Sequence, residues 1–172
     1  MKEIASIKTD RLLLRAIRSS DLVNIYKGLS NLEVIKHYGV SFESLEATKE
    51  QMDWFAGSKQ FWWAICSPNN IFYGAGGLND LSIEHKKAEI GLWLMPDFWG
   101  KGIMTEVMPL ICSYGFEKLG IHRIEGFVNT DNKNCKKAMA KLDFQHEGTM
   151  KECEVKNGQF VSVDIYAKLK TS

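Results

Sequence analysis

The spacing of apolar residues changes several times along the chain, and each change marks an element. Residues 11–17 alternate, with Leu12, Leu14 and Ala16 on one face, and predict a first strand. From 21 to 29 the period lengthens. Leu22, Ile25, Tyr26 and Leu29 recur at helical spacing behind the candidate caps Ser19 and Ser20, with Asp21 placed for the first turn. A short helical continuation follows over 31–38 and ends at Gly39. A second helix is predicted over 45–56, capped from Ser41 or Ser44 and stopped by Gly57. The aromatic run 60–66, the turn at Pro68-Asn69-Asn70 and the run 72–81 read as a hairpin. Gly74, Gly76 and Gly77 weaken its second strand, marking a bulge, a close backbone approach or room for a helix. Residues 82–86 turn the chain into a further strand, 87–95.

The next segment, 102–118, is apolar nearly all round, through Ile103, Met104, Val107, Met108, Leu110, Ile111, Tyr114 and Phe116. A helix of that kind must be buried against a sheet. Pro109 frees the Thr105 carbonyl and predicts a kink, and Gly120 ends the helix. Residues 123–128 form another strand, a polar turn over 128–135 opens a last helix ending near 142, and Asn157-Gly158 joins strands at 145–155 and 160–169. The order predicts an α+β fold: a single domain over 1–172, with a mixed central sheet flanked by helices and a C-terminal hairpin.

Composition narrows the function. The 172 residues are 45% apolar with a formal net charge of +1, and no run of five like charges appears, so neither nucleic acid nor a membrane surface is an expected partner. No segment approaches the length of a membrane span, and residues 1–10 lack an apolar signal core, which predicts a cytoplasmic protein. Cys66, Cys112, Cys135 and Cys153 are widely spaced, arguing for reduced thiols and against a metal site.

Candidate chemistry is concentrated between 89 and 106. A strand, a stop at Pro96-Asp97 and the run Trp99-Gly100-Lys101-Gly102 lead straight into a helix. Such a turn leaves the first helical N–H groups pointing outward, and the helix dipole adds about half a positive charge there. Lys101 adds a whole one. Phosphate or pyrophosphate is the natural occupant, the alternative being two glycines that merely allow a sharp turn. A dinucleotide fold is disfavoured, because the Gly-x-Gly comes late and lacks a third glycine at Thr105.

The run 88–106, and above all W-G-K-G-I-M-T-E at 99–106, resembles the acyl-coenzyme A motif of the GNAT acetyltransferase superfamily. With T-D-R-L-L-L-R at 9–15 it is similar to the RimJ/RimL branch, which acetylates ribosomal-protein N-termini and small amines. The likeness runs from Thr9 to about Leu169. Trp99 and Met104 depart from the pattern, which places Arg or Gln and Gly or Ala there. The resemblance implies acetyl-coenzyme A as cosubstrate, a primary amine as acceptor, and room for a homodimer. It implies cofactor contacts at Trp99, Gly100, Lys101, Gly102, Ile103, Met104 and Thr105, at the backbone of Leu92, Trp93 and Leu94 through a strand bulge, and at Asn132, which is equally a helix cap.

Acetyl transfer to an amine needs a base for the amine and a proton for the departing thiolate. Glu89 matches a glutamate that some superfamily members use as base; its alternative is a structural pair with Lys86, Lys87 or Arg123. Cys135 stands where RimJ/RimL relatives often carry Ser. A helix N-terminus would lower its pKa and suit it as acid, against a packing role for a small buried residue. Met139 occupies the place of the tyrosine acid of polyamine acetyltransferases, and Asp143 replaces a Gly, which requires a left-handed residue. Tyr38, Trp62, Trp63 and Trp93 are candidate pocket aromatics or core. The helix pair over 21–56 forms one wall of the acceptor groove in this superfamily; it shows no acidic cluster, which speaks against a polycationic acceptor. The second class that stays open is a catalytically weak acyl-coenzyme A-binding module.

Overall fold

The computed structural model describes residues 3–171. Eight strands form one mixed sheet. They are β1 (Ile7–Lys8), β2 (Leu13–Ala16), β3 (Phe61–Cys66), β4 (Phe72–Ser82), β5 (Lys87–Leu94), β6 (Arg123–Asn129), β7 (Gln145–Lys156) and β8 (Gln159–Leu169). Their order is β1-β2-β3-β4-β5-β6-β8-β7. The helices are α1 (Leu22–Leu29), α2 (Leu32–Ile35), α3 (Lys49–Ala56), α4 (Ile103–Glu117) and α5 (Lys133–Lys141), with 3₁₀ turns at Ser19–Asp21 and Pro96–Phe98.

Every neighbouring pair is antiparallel except β5 and β6. Parallel neighbours need a crossover, and α4 supplies it. Their ladder holds only the pairs Lys87–Arg123, Ala88–Ile124 and Glu89–Glu125, while β5 runs on to Leu94 and β6 to Asn129. The two strands therefore part beyond Glu89, leaving a wedge in the middle of the sheet.

Strand alternation sorts the aromatics onto two cores. Trp63 points to the face covered by α4, where its ring meets Tyr114 edge-on at 4.9 Å and its indole donates to the Ala5 carbonyl at 2.9 Å. Trp62 points to the other face and packs with Phe55, Ile25 and Trp93 beneath α1 and α3. α1 lies so close to the sheet that a Cβ on Gly28 would stand 2.0 Å from the Trp93 ring. On the first face Val107 and Ile111 are fully buried, as expected for a helix that is apolar nearly all round.

The structure departs from the sequence pattern in three places. β1 is two residues long, too short to leave a periodic signal. The predicted helix over 45–56 is regular only from Lys49, although Ser44 caps the turn before it as expected, its Oγ accepting from the Ala47 N–H and its carbonyl from the Thr48 N–H and Oγ1. Arg15, on the face that alternation assigns to solvent, is buried. Its Nη1 and Nη2 each donate to the Asp21 carboxylate at 2.8 Å, and its Nε donates to Asn70 at 2.6 Å. This ties β2 to the turn before α1 and to the β3–β4 turn. Asp143 adopts φ +63°, the left-handed conformation that its place requires, and Asn157-Gly158 turns the hairpin at φ +50° and +75°.

Candidate active site

The wedge between β5 and β6 opens into a cleft of about 1530 Å³. One side of it is built by the chain that leaves β5. After the Pro96–Phe98 turn, Gly100 takes φ +69° and Gly102 takes φ +72°, a left-handed conformation that L side chains adopt at a cost of about 1–2 kcal/mol. Gly102 caps α4 without any side-chain capping bond. Its carbonyl accepts from the Glu106 N–H at 3.2 Å and from Thr105 Oγ1 at 2.9 Å. The N–H groups of Ile103, Met104 and Thr105 precede the first helical carbonyl that could take them, and they border the cleft. A left-handed glycine, exposed N–H groups and the positive end of a fifteen-residue helix fit a pyrophosphate.

Trp99 donates its indole N–H to the Leu94 carbonyl at 2.8 Å, which lays a half-exposed ring across the lip of the cleft. Lys101 corrects an expectation. Its ammonium lies 5.3 Å above the Phe98 ring and borders a separate small cleft with Arg11 and Tyr73, so its charge does not face the main one.

Leu92, Trp93 and Leu94 line the cleft, but not through a bulge. The β4–β5 register is unbroken from Gly74–Leu94 to Asn79–Glu89, and the irregularity lies at the other end, between Asn79 and Ser82. What frees the outward edge of β5 is the parting of β6. Trp93 and Leu94 put their side chains into the two cores.

Glu89 sits at the apex of the wedge, half-buried and facing the cleft. Two of the three cations named as its structural partners are engaged elsewhere, Lys87 and Arg123 both reaching Glu125 and Arg123 also holding Glu147, and Lys86 forms no ion pair with it. Among the described residues Glu89 has no ion pair. Burial pushes its carboxyl above the ordinary value, the Asp80 charge adds to this, and a hydrogen bond from Asn79 opposes it. A carboxylate so placed takes up a proton more readily than one in water.

Across the wedge, Asn132 caps α5 and accepts from the Cys135 N–H at 3.2 Å, while both residues border the cleft. The expected fall in the Cys135 pKa is not found. Burial drives the thiol up to about 11, so it keeps its proton at cellular pH. Met139 is buried over Gly126, where a Cβ would stand 2.1 Å from its Cε, and offers no proton.

The remaining arm is lined by side chains from distant segments. Tyr38, Phe42, Trp54 and Trp62 supply aromatic surface; Trp63 does not take part. Glu33, Glu50, Asp131 and Glu154 join Glu89 around the same space, beside Lys36, Lys133 and Lys156. The acidic character that the wall lacks in sequence is thus assembled from α2, α3, the β6–α5 turn and β7. His37 Nδ1 lies 3.4 Å from Asp131 and spans two of these segments. Sequence reasoning named neither Phe42 nor Trp54, because neither stands in a motif.

Comparison with known proteins bears on this geometry. Residues 11–145 match the family model described as an acetyltransferase (GNAT) domain. An uncharacterized N-acetyltransferase YoaA of Bacillus subtilis is 33% identical over 95% of this chain and 96% of its own. A putative ribosomal N-acetyltransferase YdaF of the same organism is 30% identical over 56% of this chain and 53% of its own. Among solved structures, spermidine N-acetyltransferase of Vibrio cholerae, in complex with CoA and spermine, superposes with a TM-score of 0.87 at 21% identity, covering 94% of this chain and 96% of that one.

Proposed function

The chain belongs to the GNAT acetyltransferase family, and from that premise we propose that its acceptor is a small primary amine that arrives as a cation. It is an acetyl-coenzyme A-dependent N-acetyltransferase. The observation that carries the acceptor is Glu89: a half-buried carboxylate without an ion-pair partner among the described residues, opening on an arm lined by Tyr38, Trp62 and further carboxylates. An ammonium group is stabilised by aromatic faces and carboxylates, and must shed a proton before it can attack.

In this reading the N–H groups of Ile103, Met104 and Thr105 hold the pyrophosphate, and the free edge of β5 at Leu92–Leu94 pairs with the pantetheine amides. Bound acetyl-coenzyme A supplies an activated thioester carbonyl. Glu89 takes the proton from the amine, directly or through one water. Cys135, protonated at neutral pH and bordering the cleft, is the candidate to return a proton to the departing sulfur. That transfer runs uphill for a thiol at about 11 against an ordinary thiol near 8.5, so its contribution is small.

A protein N-terminus is the second reading and would keep the chain in the RimJ/RimL branch; the likeness to the putative ribosomal enzyme favours it. The further carboxylates that border the same cleft as Glu89, and a spermidine enzyme as structural neighbour, support the first. Purified protein with acetyl-coenzyme A and a panel of monoamines, di- and polyamines and N-terminal peptides, read by free thiol release, decides between them. Small amines should turn over at least tenfold faster in kcat/KM than peptides. The reverse order would overturn the proposal.

A further inference from the structure

The first part of T-D-R-L-L-L-R folds back onto the glycine loop. Arg11 stands on the turn between β1 and β2, and its Nη1 donates to the Lys101 carbonyl at 2.9 Å. Its Nε bonds the Glu106 carboxylate. Thr9 Oγ1 donates to the other Glu106 oxygen at 2.7 Å and accepts from the Leu12 N–H at 3.1 Å. One guanidinium therefore grips the chain on both sides of Gly102, and its Nη2 lies 3.4 Å from where a Gly102 Cβ would stand.

Stability does not account for this arrangement. The Arg11 side chain is half exposed, and ion pairs of that kind contribute little to folding. Electrostatics does account for it. Glu106 lies in the first turn of α4, the turn whose N–H groups border the cleft, and a free carboxylate there would oppose an incoming anion. Lys101 is turned away over Phe98 and does not offset it.

We infer that Arg11 and Thr9 are positioning residues for coenzyme A: they hold the left-handed turn at Gly102 and neutralise Glu106 so that the α4 N-terminus accepts a pyrophosphate. The inference rests on the reading of Gly102 to Thr105 as the pyrophosphate site.

Calorimetric titration of the purified protein with coenzyme A tests it. Arg11→Met, which keeps the aliphatic stem, should weaken binding about tenfold, and Thr9→Val by a smaller factor in the same direction. Adding Glu106→Gln to Arg11→Met should recover most of the loss, because the uncompensated charge is then gone. The ratio of kcat/KM for acetyl-coenzyme A to that for S-acetylpantetheine, which lacks the pyrophosphate, should fall about tenfold in Arg11→Met. The melting temperature should shift by no more than about 2–4 °C.

Wild-type coenzyme A affinity in Arg11→Met, an equal loss with both acyl donors, or a double variant no better than the single would each overturn the clamp. Gly102→Glu, measured alongside, separates the two levels. If it abolishes binding while Arg11→Met does not, the clamp fails alone; if neither affects binding, the pyrophosphate site fails with it.

Discussion

The two arms of the cleft are made in opposite ways. The arm proposed for the coenzyme is one unbroken piece of chain, from Trp99 to Thr105, and presents backbone N–H groups fixed by two left-handed glycines and a helix start. The arm proposed for the acceptor is assembled from side chains between Glu33 and Glu154, carried by separate elements beside the parting of β5 from β6. A site made of backbone tolerates unusual side chains, which is why Trp99 and Met104 can stand in it. A site made of side chains changes its ligand with each substitution, so on the proposed reading acceptor specificity belongs to the second arm.

The sharpest test of this contrast is to damage each arm separately. Glu89→Gln keeps the shape of the acceptor arm and removes its base, so kcat should fall roughly 10²- to 10⁴-fold while coenzyme A affinity, read by calorimetry, holds. The pH profile adds a signature. A base must be ionised to act, and burial raises the Glu89 pKa, so wild-type activity should fall as pH drops through a value above 4.5, and this limb should vanish in Glu89→Gln. An acid limb at the ordinary carboxylate value would remove Glu89 from the role.

Gly102→Glu should give the reciprocal result. A side chain at φ +72° is strained, and its charge opposes an anion, so coenzyme A affinity should fall about 100-fold or more in a protein that remains folded. Unchanged affinity would mean that the arm does not work through its backbone.

Cutting the tie between β2 and α1 asks whether the acceptor arm depends on its scaffold. Asp21→Asn leaves the Arg15 charge buried without its partner and should lower stability by about 3 kcal/mol in denaturant unfolding. The Asp21 pKa is lowered in the fold, by Arg15 and the Arg18 N–H working against burial, so this stabilisation is present above about pH 3.8 and is lost as pH falls through the folded value.

The smallest effect is expected at Cys135, between the arms. Cys135→Ala should lower kcat about tenfold or less, and Cys135→Ser, which keeps a proton donor, should recover much of it. If alanine matches wild type in rate while serine loses stability, the thiol is there for packing.

Much of the coenzyme arm is legible in the sequence because its determinants are local. Gly-x-Gly before an apolar helix specifies left-handed turns, free N–H groups and a buried α4 within eighteen residues, 100–117, whatever the rest of the chain does. Asn157-Gly158 specifies its hairpin for the same reason. Local reasoning went wrong where a neighbour decided the outcome. It assigned the free edge of β5 to a bulge, although the register with β4 is regular and the departure of β6 is responsible. It lowered the Cys135 pKa at a helix end, whereas burial raises it, and it placed the Lys101 charge in a cleft from which the Phe98 ring draws it.

The sequence by itself thus determined the element order and the glycine turn, and singled out Glu89 and Cys135 as candidates for moving protons. Only the tertiary structure decided which cations Glu89 would meet, by giving Lys87 and Arg123 to Glu125 and leaving Glu89 facing the cleft. It also decided that Trp62 and Tyr38 border the cleft while Trp63 does not, and that scattered carboxylates line the same cleft. The reason lies in range. Backbone conformation is set by a few adjacent residues, whereas desolvation and charge pairing depend on everything within several ångströms, most of it distant in sequence.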